Sequence, residues 1–445
     1  MTYFFETYGC QMNKAESAAL ELVLRDRGWT ASPHSDTADL VLINTCSVRA
    51  TAETRVMGRL AHFSALKKKR PFSLVVAGCM AERLQEDLLR RVPAVDKVMG
   101  TTSRSIFPSL LEAMENGLPA GGESVPLPDE KPVFSFSASH LEEGAFRSFV
   151  PIMHGCDNFC SYCIVPYVRG RETSRSPSAI LAEIAMLEEK GVREITLLGQ
   201  NVNSYRYQEN GKTTEFPDLL ELVASAVRGI RWVRFLSSHP KDFSPALIGI
   251  LKEHPVLSRH IHLCVQHGSN RILQAMNRRY TRERYLELVD MLRTALPVST
   301  LSTDLLMGFP GETEDDVRDT LDLMRRVRFA SAYMYHYNPR EGTVAYSLEG
   351  RIPEDVKKER LSRVMAEQTR ITRELMRERI GVREMVLVEA VSKKNPDELL
   401  ARTQRDEMLV FPGPASLIGT FMDATLAALR GSTFRATEVR PCPGE

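Results

Sequence analysis

Short strand-like segments alternate with helix-like segments along roughly the first 340 residues, and this alternation restricts the possible folds more than any other feature. Apolar runs rich in β-branched residues cover 2–8, 39–45 and 73–77, and segments with helical spacing follow them. The alternation resumes near residue 146 with about six further strand–helix units. The pattern predicts an α/β fold with parallel sheets, and the longer second series suits a full or partial (β/α) barrel.

Composition divides the chain into three domains and one linker. We expect a Rossmann-like parallel α/β domain over residues 1–116 and a linker rich in Pro, Gly and Ser over 117–144. A (β/α) barrel with a long C-terminal helix is expected over 145–380. Residues 381–445 contain short strand-like runs separated by turn signals, which predicts a small all-β barrel.

Charge and hydropathy exclude several classes of protein. Lys and Arg number 58 and Asp and Glu 57, so a nucleic acid must be bound by a local basic patch and not by a global field. We find neither an apolar run long enough for a membrane span nor a signal peptide. These features predict a cytoplasmic protein without membrane contact, in which the eight cysteines are ligands or buried thiols.

The loop C-x-x-x-C-x-x-C formed by Cys156, Cys160 and Cys163 carries the strongest chemical signal. Three thiolates on one loop can hold three irons of a [4Fe–4S] cluster, which leaves the fourth iron open to another ligand. A zinc site is the alternative, but zinc usually takes four protein ligands, and no fourth Cys or His completes this set. The loop follows the first predicted strand of the barrel series, where barrel enzymes place catalytic groups.

A second set of cysteines, Cys10, Cys46 and Cys79, is dispersed in sequence but regular in placement. Each cysteine ends a predicted strand, and parallel strands end at the same edge of a sheet. Three separate buried thiols are the alternative, but the repeated placement favours convergence on a second cluster with an open iron. Cys264 and Cys442 fit neither set, and we expect no functional role for them.

Together these motifs resemble the radical S-adenosylmethionine (SAM) methylthiotransferases over essentially the whole chain. The C-x-x-x-C-x-x-C loop is the hallmark of radical SAM enzymes, and the N-terminal cysteines and the C-terminal barrel extend the resemblance. Segments 7–13, 44–49, 165–170 and 198–205 are most similar to the MiaB-type branch, and GQNVNSY is the most discriminating stretch. The C-terminal segment is similar to the TRAM domain, an RNA-binding barrel of the tRNA enzymes.

The resemblance implies an enzyme, a transferase that replaces the carbon-2 hydrogen of N(6)-isopentenyladenosine beside the tRNA anticodon with a methylthio group. It implies two SAM molecules per product and two [4Fe–4S] clusters, one binding SAM and one holding the inserted sulfur. Alternatives within the family are methylthiolation of threonylcarbamoyladenosine in tRNA or of a ribosomal protein aspartate. A non-catalytic RNA-binding or iron–sulfur carrier protein is the alternative outside it.

Polar residues at predicted strand ends are candidates for binding SAM, with helix capping or turn formation as the alternative. These residues are Gln200, Asn203, Ser237, Ser238, Gln266 and Asp304. Basic residues directly after the cluster loop are candidates for binding RNA phosphate, namely Arg169, Arg171 and Arg175. We expect the enzyme to act as a monomer. Its expected partners are a tRNA anticodon stem-loop bearing isopentenyladenosine and a reductant protein such as flavodoxin.

Overall fold

The computed structural model describes residues 1–47, 50–101, 103–121 and 144–442. The N-terminal part is a parallel sheet in the order β2-β1-β3-β4-β5, packed between helices. Its strands are β1 (Thr2–Thr7), β2 (Thr30–Ala31), β3 (Leu40–Thr45), β4 (Ser73–Gly78) and β5 (Lys97–Met99). Its helices are α1 (Gln11–Asp26), α2 (Ala50–Lys67), α3 (Cys79–Arg91) and α4 (Phe107–Glu115).

The central strand β3 is buried at every position because helices cover both faces of the sheet. Leu40 and Leu42 belong to the core that includes residues of α1 and α4. Val41 and Ile43 belong to the opposite core, which includes residues of α2 and α3. This alternation explains why the strand is a continuous apolar run, and the predicted α/β fold is confirmed.

The second part repeats the strand–helix unit six times. Its main strands are β6 (Arg147–Pro151), β9 (Glu194–Leu198), β12 (Trp232–Phe235), β13 (His260–His262), β14 (Thr300–Met307) and β15 (Ser331–His336). The shorter strands are β7 (Met153–His154), β8 (Thr173–Ser174), β10 (Arg206–Glu209) and β11 (Lys212–Glu215). The helices are α5 (Val165–Arg169), α6 (Pro177–Glu189), α7 (Phe216–Ala226), α8 (Pro245–Glu253), α9 (Asn270–Ala275), α10 (Arg282–Ala295), α11 (Glu314–Val327) and α12 (Glu354–Arg377).

The six main strands form a curved parallel array around one core. Two sheets, β12-β9-β6 and β13-β14-β15, are joined by single parallel bridges, Val233 to Leu257 and Ser238 to Leu263. One hydrophobic cluster includes residues from β6 through β14. This arrangement is the (β/α) barrel expected from the sequence, and it places the carboxyl ends of the strands at one rim.

The C-terminal part is a closed barrel in the order β16-β17-β18-β20-β19. Its strands are β16 (Arg383–Val391), β17 (Glu398–Thr403), β18 (Met408–Pro412), β19 (Phe421–Arg430) and β20 (Thr433–Pro441). Alternate residues such as Val386 and Val388 fill the interior, as the period of a strand requires. The predicted all-β barrel is therefore confirmed.

This small barrel docks on the end of the central barrel where the strands begin. Arg402 lies 2.6 Å from Glu194, the first residue of β9. The ring of Phe421 meets Trp232, the first residue of β12, edge-on at 4.8 Å. The cysteine loop follows the carboxyl end of β6, so the C-terminal barrel and that loop lie at opposite ends of the central strands.

Short 3-10 helices complete the described part of the chain, at Arg104–Ile106, Val202–Ser204, Pro240–Asp242, Val344–Ser347 and Ala415–Leu417. The predicted linker falls mostly on residues 122–143, which lie outside the described residues, and the domain boundaries stay predictions. None of the helices in the described ranges combines the length and apolar character needed to cross a membrane.

Candidate active site between two cysteine triplets

The first cysteine triplet lies on the loop between β7 and α5. Cys156 and Cys160 are buried, and the amide of Cys163 donates to the carbonyl of Cys160 at 2.9 Å. Gly155 precedes the loop at φ +77°, where a side chain would collide with the carbonyl of Arg171. Burial raises the pKa of Cys156 to about 11 and that of Cys163 to about 12, with neighbouring thiols adding to both shifts. Bound iron would reverse these shifts by stabilising the thiolates.

The second triplet gathers at the carboxyl edge of the N-terminal sheet. Cys10 follows β1, Cys46 follows β3 and Cys79 begins the helix after β4, and these three strands are neighbours in the sheet. Gly9, at φ +135°, allows the close approach, because a Cβ there would lie 2.6 Å from that of Cys46. Burial raises the pKa of Cys79 to about 11, and the other two thiols act in the same direction.

The two triplets lie on elements that pack against each other where the first two parts of the molecule meet. Cys79 packs against Ile164 and Val168, which directly follow the first triplet. The hydroxyl of Thr101 donates to the carbonyl of Val168, which ties the two loops together. The helix that follows the first triplet therefore packs against Cys79 of the second.

Neither triplet is arranged for a single metal ion. A tetrahedral zinc ion holds its thiolates about 3.8 Å apart, given Zn–S bonds of about 2.3 Å. In the described residues, two groups have ligand atoms that all lie within 4.8 Å of one another, namely His262 with Cys264 and Asp304, and His254 with Glu221 and Glu253. The sulfur atoms of neither cysteine triplet all lie that close together. A four-iron cluster does not require such close thiolates, because each thiolate binds a different iron.

The group of His262, Cys264 and Asp304 lies inside the central barrel, but its hydrogen bonds oppose metal binding. The amide of Ser237 donates to Nδ1 of His262 at 3.2 Å, so Nε2 carries the ring proton. Nε2 faces a carboxylate oxygen of Asp304 at 3.3 Å. Burial raises the pKa of Asp304, but hydrogen bonds from His262 and Cys264 and the charge of Arg278 together outweigh this effect, and the pKa lies below its usual value.

Five of the six predicted SAM-binding residues lie beyond the carboxyl ends of the central strands, and Asp304 lies within β14. Ser238 is buried, and its hydroxyl has no hydrogen-bond partner among the described residues. Asn203 is 8% exposed, neither atom of its amide has such a partner, and it borders a cavity of about 280 Å³. Buried polar atoms without partners are costly, so these two side chains fit sites that a polar ligand completes.

Backbone conformation and backbone hydrogen bonds position the other predicted SAM-binding residues. Ser237 and Gln266 adopt left-handed backbone conformations, with φ of 66° and 71°. The amide of Gln266 donates to the carbonyl of Asp304 at 2.9 Å. Gln200 lies two residues after the end of β9 and is half-buried. These contacts leave the side chains of Gln200 and Gln266 partly accessible at the rim.

The structure corrects the prediction that Arg169 binds RNA. Its side chain is buried, 2.6 Å from Glu16 of α1, and donates to Asn13 at 3.2 Å. Arg104 contacts the same carboxylate at 2.8 Å. Burial raises the pKa of Glu16, but the two arginines outweigh it and lower the pKa well below its usual range. Arg169 therefore joins the two parts of the molecule and places positive charge beside Cys79.

The other two basic candidates differ in exposure. The side chain of Arg175 is 15% exposed, lies 2.7 Å from Glu183 and donates to the carbonyl of Pro151, so the prediction that it binds phosphate is corrected as well. The side chain of Arg171 is 77% exposed and contacts Asp157 beside the cluster loop at 2.6 Å. Of the three, Arg171 alone is accessible to a phosphate group.

Two residues near the site were not assigned to it from the sequence. His239 is buried, and its Nε2 has no hydrogen-bond partner among the described residues. Arg278 is 4% exposed and donates through Nη1 to Sγ of Cys160 at 3.3 Å. Arg278 stands in a basic stretch with Arg279 and Arg282, and such a stretch carries no local sign of burial in the sequence.

Comparisons with known proteins agree with this architecture. Residues 150–324 match the radical SAM superfamily, and residues 2–100 match a group described as uncharacterized protein family UPF0004. The structure of a radical S-adenosylmethionine methyltransferase, TsrM, from Kitasatospora setae aligns with a TM-score of 0.60. It covers 78% of this chain and 77% of its own at 16% identity, which shows a shared fold.

Relatives with closer sequences cover almost the whole chain. A tRNA-2-methylthio-N(6)-dimethylallyladenosine synthase from Treponema denticola is 51% identical over 98% of this chain and 99% of its own length. Synthases of the same name from Bacteroides fragilis and Moorella thermoacetica are each 43% identical, over 98% and 96% of this chain and 95% of their own lengths. The chain thus belongs to the tRNA-2-methylthio-N(6)-dimethylallyladenosine synthase family of radical SAM enzymes.

Proposed function

We propose that this enzyme replaces the carbon-2 hydrogen of N(6)-isopentenyladenosine next to the tRNA anticodon with a methylthio group, using two SAM molecules per product. The observation that carries the proposal is the pair of cysteine triplets, one on the radical SAM loop and one on the adjoining sheet. When bound, one [4Fe–4S] cluster would supply the electron that cleaves SAM to a radical, and the other would hold the sulfur to be inserted.

The residues of the chain divide the work between the two triplets. Cys156, Cys160 and Cys163 would hold the first cluster, and three thiols leave one of its irons open for SAM. Cys10, Cys46 and Cys79 would hold the second cluster in the same way. Because Cys79 packs against the helix that follows the first loop, a substrate between the triplets can reach both.

We assign the polar atoms of Ser238 and Asn203 to SAM, because both are buried without partners in the described part of the chain. Gln200 and Gln266 lie at the same rim with partly accessible side chains. Ser237 and Asp304 act through His262, which each of them contacts. Arg171 is the proposed contact to tRNA phosphate, since its guanidinium is exposed beside the cluster loop.

The partner is a tRNA anticodon stem-loop that carries isopentenyladenosine, as the name of the relatives indicates. The same name gives no support to threonylcarbamoyladenosine or a ribosomal protein aspartate, so we do not propose those substrates. We further propose that the enzyme works in the cytoplasm as a monomer and takes electrons from a reductant protein such as flavodoxin.

Iron counting after anaerobic reconstitution tests the division between the triplets. We expect about eight irons per chain in the wild type and about four when Cys156, Cys160 and Cys163 are all changed to alanine. The matched variant without Cys10, Cys46 and Cys79 should also retain about four. A wild-type value of about four that falls to about zero in the first variant would refute the second cluster.

A further inference from the structure

A buried arginine lies against the first cysteine triplet. Arg278 follows α9 and is held by two neighbours, Asn277 and Arg279, whose backbones are left-handed at φ of 56° and 59°. Its guanidinium donates to three partners in different directions: Sγ of Cys160 at 3.3 Å, the carbonyl oxygen of Cys264 at 2.6 Å and the hydroxyl of Tyr280 at 3.2 Å. The group is therefore fixed in one orientation toward the thiol.

The charge of Arg278 has no carboxylate partner in the described part of the chain within ion-pair distance. Arginine does not lose its proton in proteins, and a buried cation without an anion is costly. The carboxylate of Asp304 interacts with this charge only from beyond ion-pair distance. The groups that could supply negative charge in direct contact are the cysteines of the loop, once they bind iron as thiolates. Cys160 is the one that Arg278 contacts directly.

We propose that Arg278 is a positioning residue that donates a hydrogen bond to the ligand sulfur of Cys160 and raises the reduction potential of the radical SAM cluster. The inference rests on the proposed function. A fixed cation and an N–H···S hydrogen bond stabilise the reduced cluster, which carries one more negative charge, more than the oxidised cluster. The arginine thereby makes the first electron transfer easier.

Potentiometric titration of the reduced cluster by electron paramagnetic resonance tests this role. The full-length chain with Cys10, Cys46 and Cys79 changed to alanine serves as the parent, so that one cluster gives the signal. We expect Arg278→Met to lower the midpoint potential by the equivalent of about a tenfold shift in the redox equilibrium, about 59 mV for one electron. Arg278→Lys, which keeps the charge but not the fork, should show a smaller decrease.

The exposed neighbour Arg279 provides the control, because Arg279→Met removes the same charge without a thiol contact. The midpoint potential of Arg279→Met should equal that of the parent. The inference is overturned if Arg278→Met keeps the parent potential, for instance while SAM binding alone weakens, or if Arg279→Met shifts the potential equally. If Arg278→Met binds no iron, the midpoint potential of Arg278→Lys is the test. A value equal to that of the parent then overturns the inference. A parent that binds no iron would instead contradict the proposed function.

Discussion

At the scale of single residues, two arginines near the cluster loop, Arg169 and Arg278, are buried and contact groups inside the molecule. Arg169 reaches Glu16 across 153 positions of sequence, and Arg278 reaches Cys160 across 118. The sequence shows only that Arg169 follows a cysteine loop, which favoured an RNA contact for it, and nothing local in the sequence links Arg278 to that loop. The cysteine spacing, by contrast, is local on the loop and could be predicted directly.

The buried carboxylate of Glu16 gives one prediction at this scale. Changing Glu16 to Gln leaves the two buried guanidiniums of Arg104 and Arg169 without their shared anion, which should lower the free energy of unfolding by about 3–5 kcal/mol. Glu21 on the same helix is half-exposed and contacts Arg25 at 3.6 Å, so Glu21→Gln should cost about 1 kcal/mol or less. Urea unfolding followed by circular dichroism measures both, and equal costs would contradict the account.

His260 gives a prediction for pH dependence. Burial lowers its pKa to about 4, whereas an unfolded histidine has a pKa of about 6.5. The neutral ring therefore contributes full stability above pH 6.5, and this contribution is lost as the pH falls toward 4, on the order of 3 kcal/mol. His260→Gln should flatten the pH dependence of urea unfolding in the metal-free chain. The exposed His34, changed to Gln, should leave the slope intact.

At the scale of elements, the turns between strands and helices decide where the thiols meet. The sequence predicted the strands β1, β3 and β4 closely enough to place Cys10, Cys46 and Cys79 at one edge, because each cysteine directly follows an apolar run. It could not predict how near the loops approach. That depends on a contact such as that between Gly9 and Cys46, which joins separate turns.

Replacing Gly9 with alanine tests this closeness. The added Cβ would lie 2.6 Å from that of Cys46, so one of the two turns must move. We expect reconstituted iron to fall from about eight to about four per chain, with the first cluster retained. Gly28→Ala is the matched control, because Gly28 also has positive φ but nothing lies within 4 Å of its added Cβ. Full iron in Gly9→Ala would contradict the argument.

At the scale of the whole molecule, the two ends of the central barrel contact different parts of the chain. The carboxyl rim faces the N-terminal sheet and both cysteine triplets, and the opposite end holds the C-terminal barrel. Alternating strands and helices predicted the first two parts, and short strand-like runs separated by turn signals predicted the third. The docking could not be predicted, because Arg402 contacts Glu194 across 208 positions.

Arg402 allows the docking to be tested. It lies 2.6 Å from both Glu194, which is buried, and Glu389, whose side chain is 10% exposed. Arg402→Met should weaken the interface by about 3 kcal/mol and speed proteolytic cleavage near Gly381, which releases the C-terminal barrel. Arg435→Met is the control, because Arg435 is exposed and its partner Glu398 belongs to the same barrel. Equal cleavage rates in the two variants would argue against this interface.

The most direct test of the central claim uses a tRNA that bears isopentenyladenosine, with anaerobic reductant and SAM. Mass spectrometry of the nucleosides should show the 2-methylthio product with the wild type. With Cys10, Cys46 and Cys79 changed to alanine, 5′-deoxyadenosine should still form while the methylthio product is lost, because the radical SAM loop is intact. Methylthio product from that variant, or none from a wild type that cleaves SAM, would contradict the account.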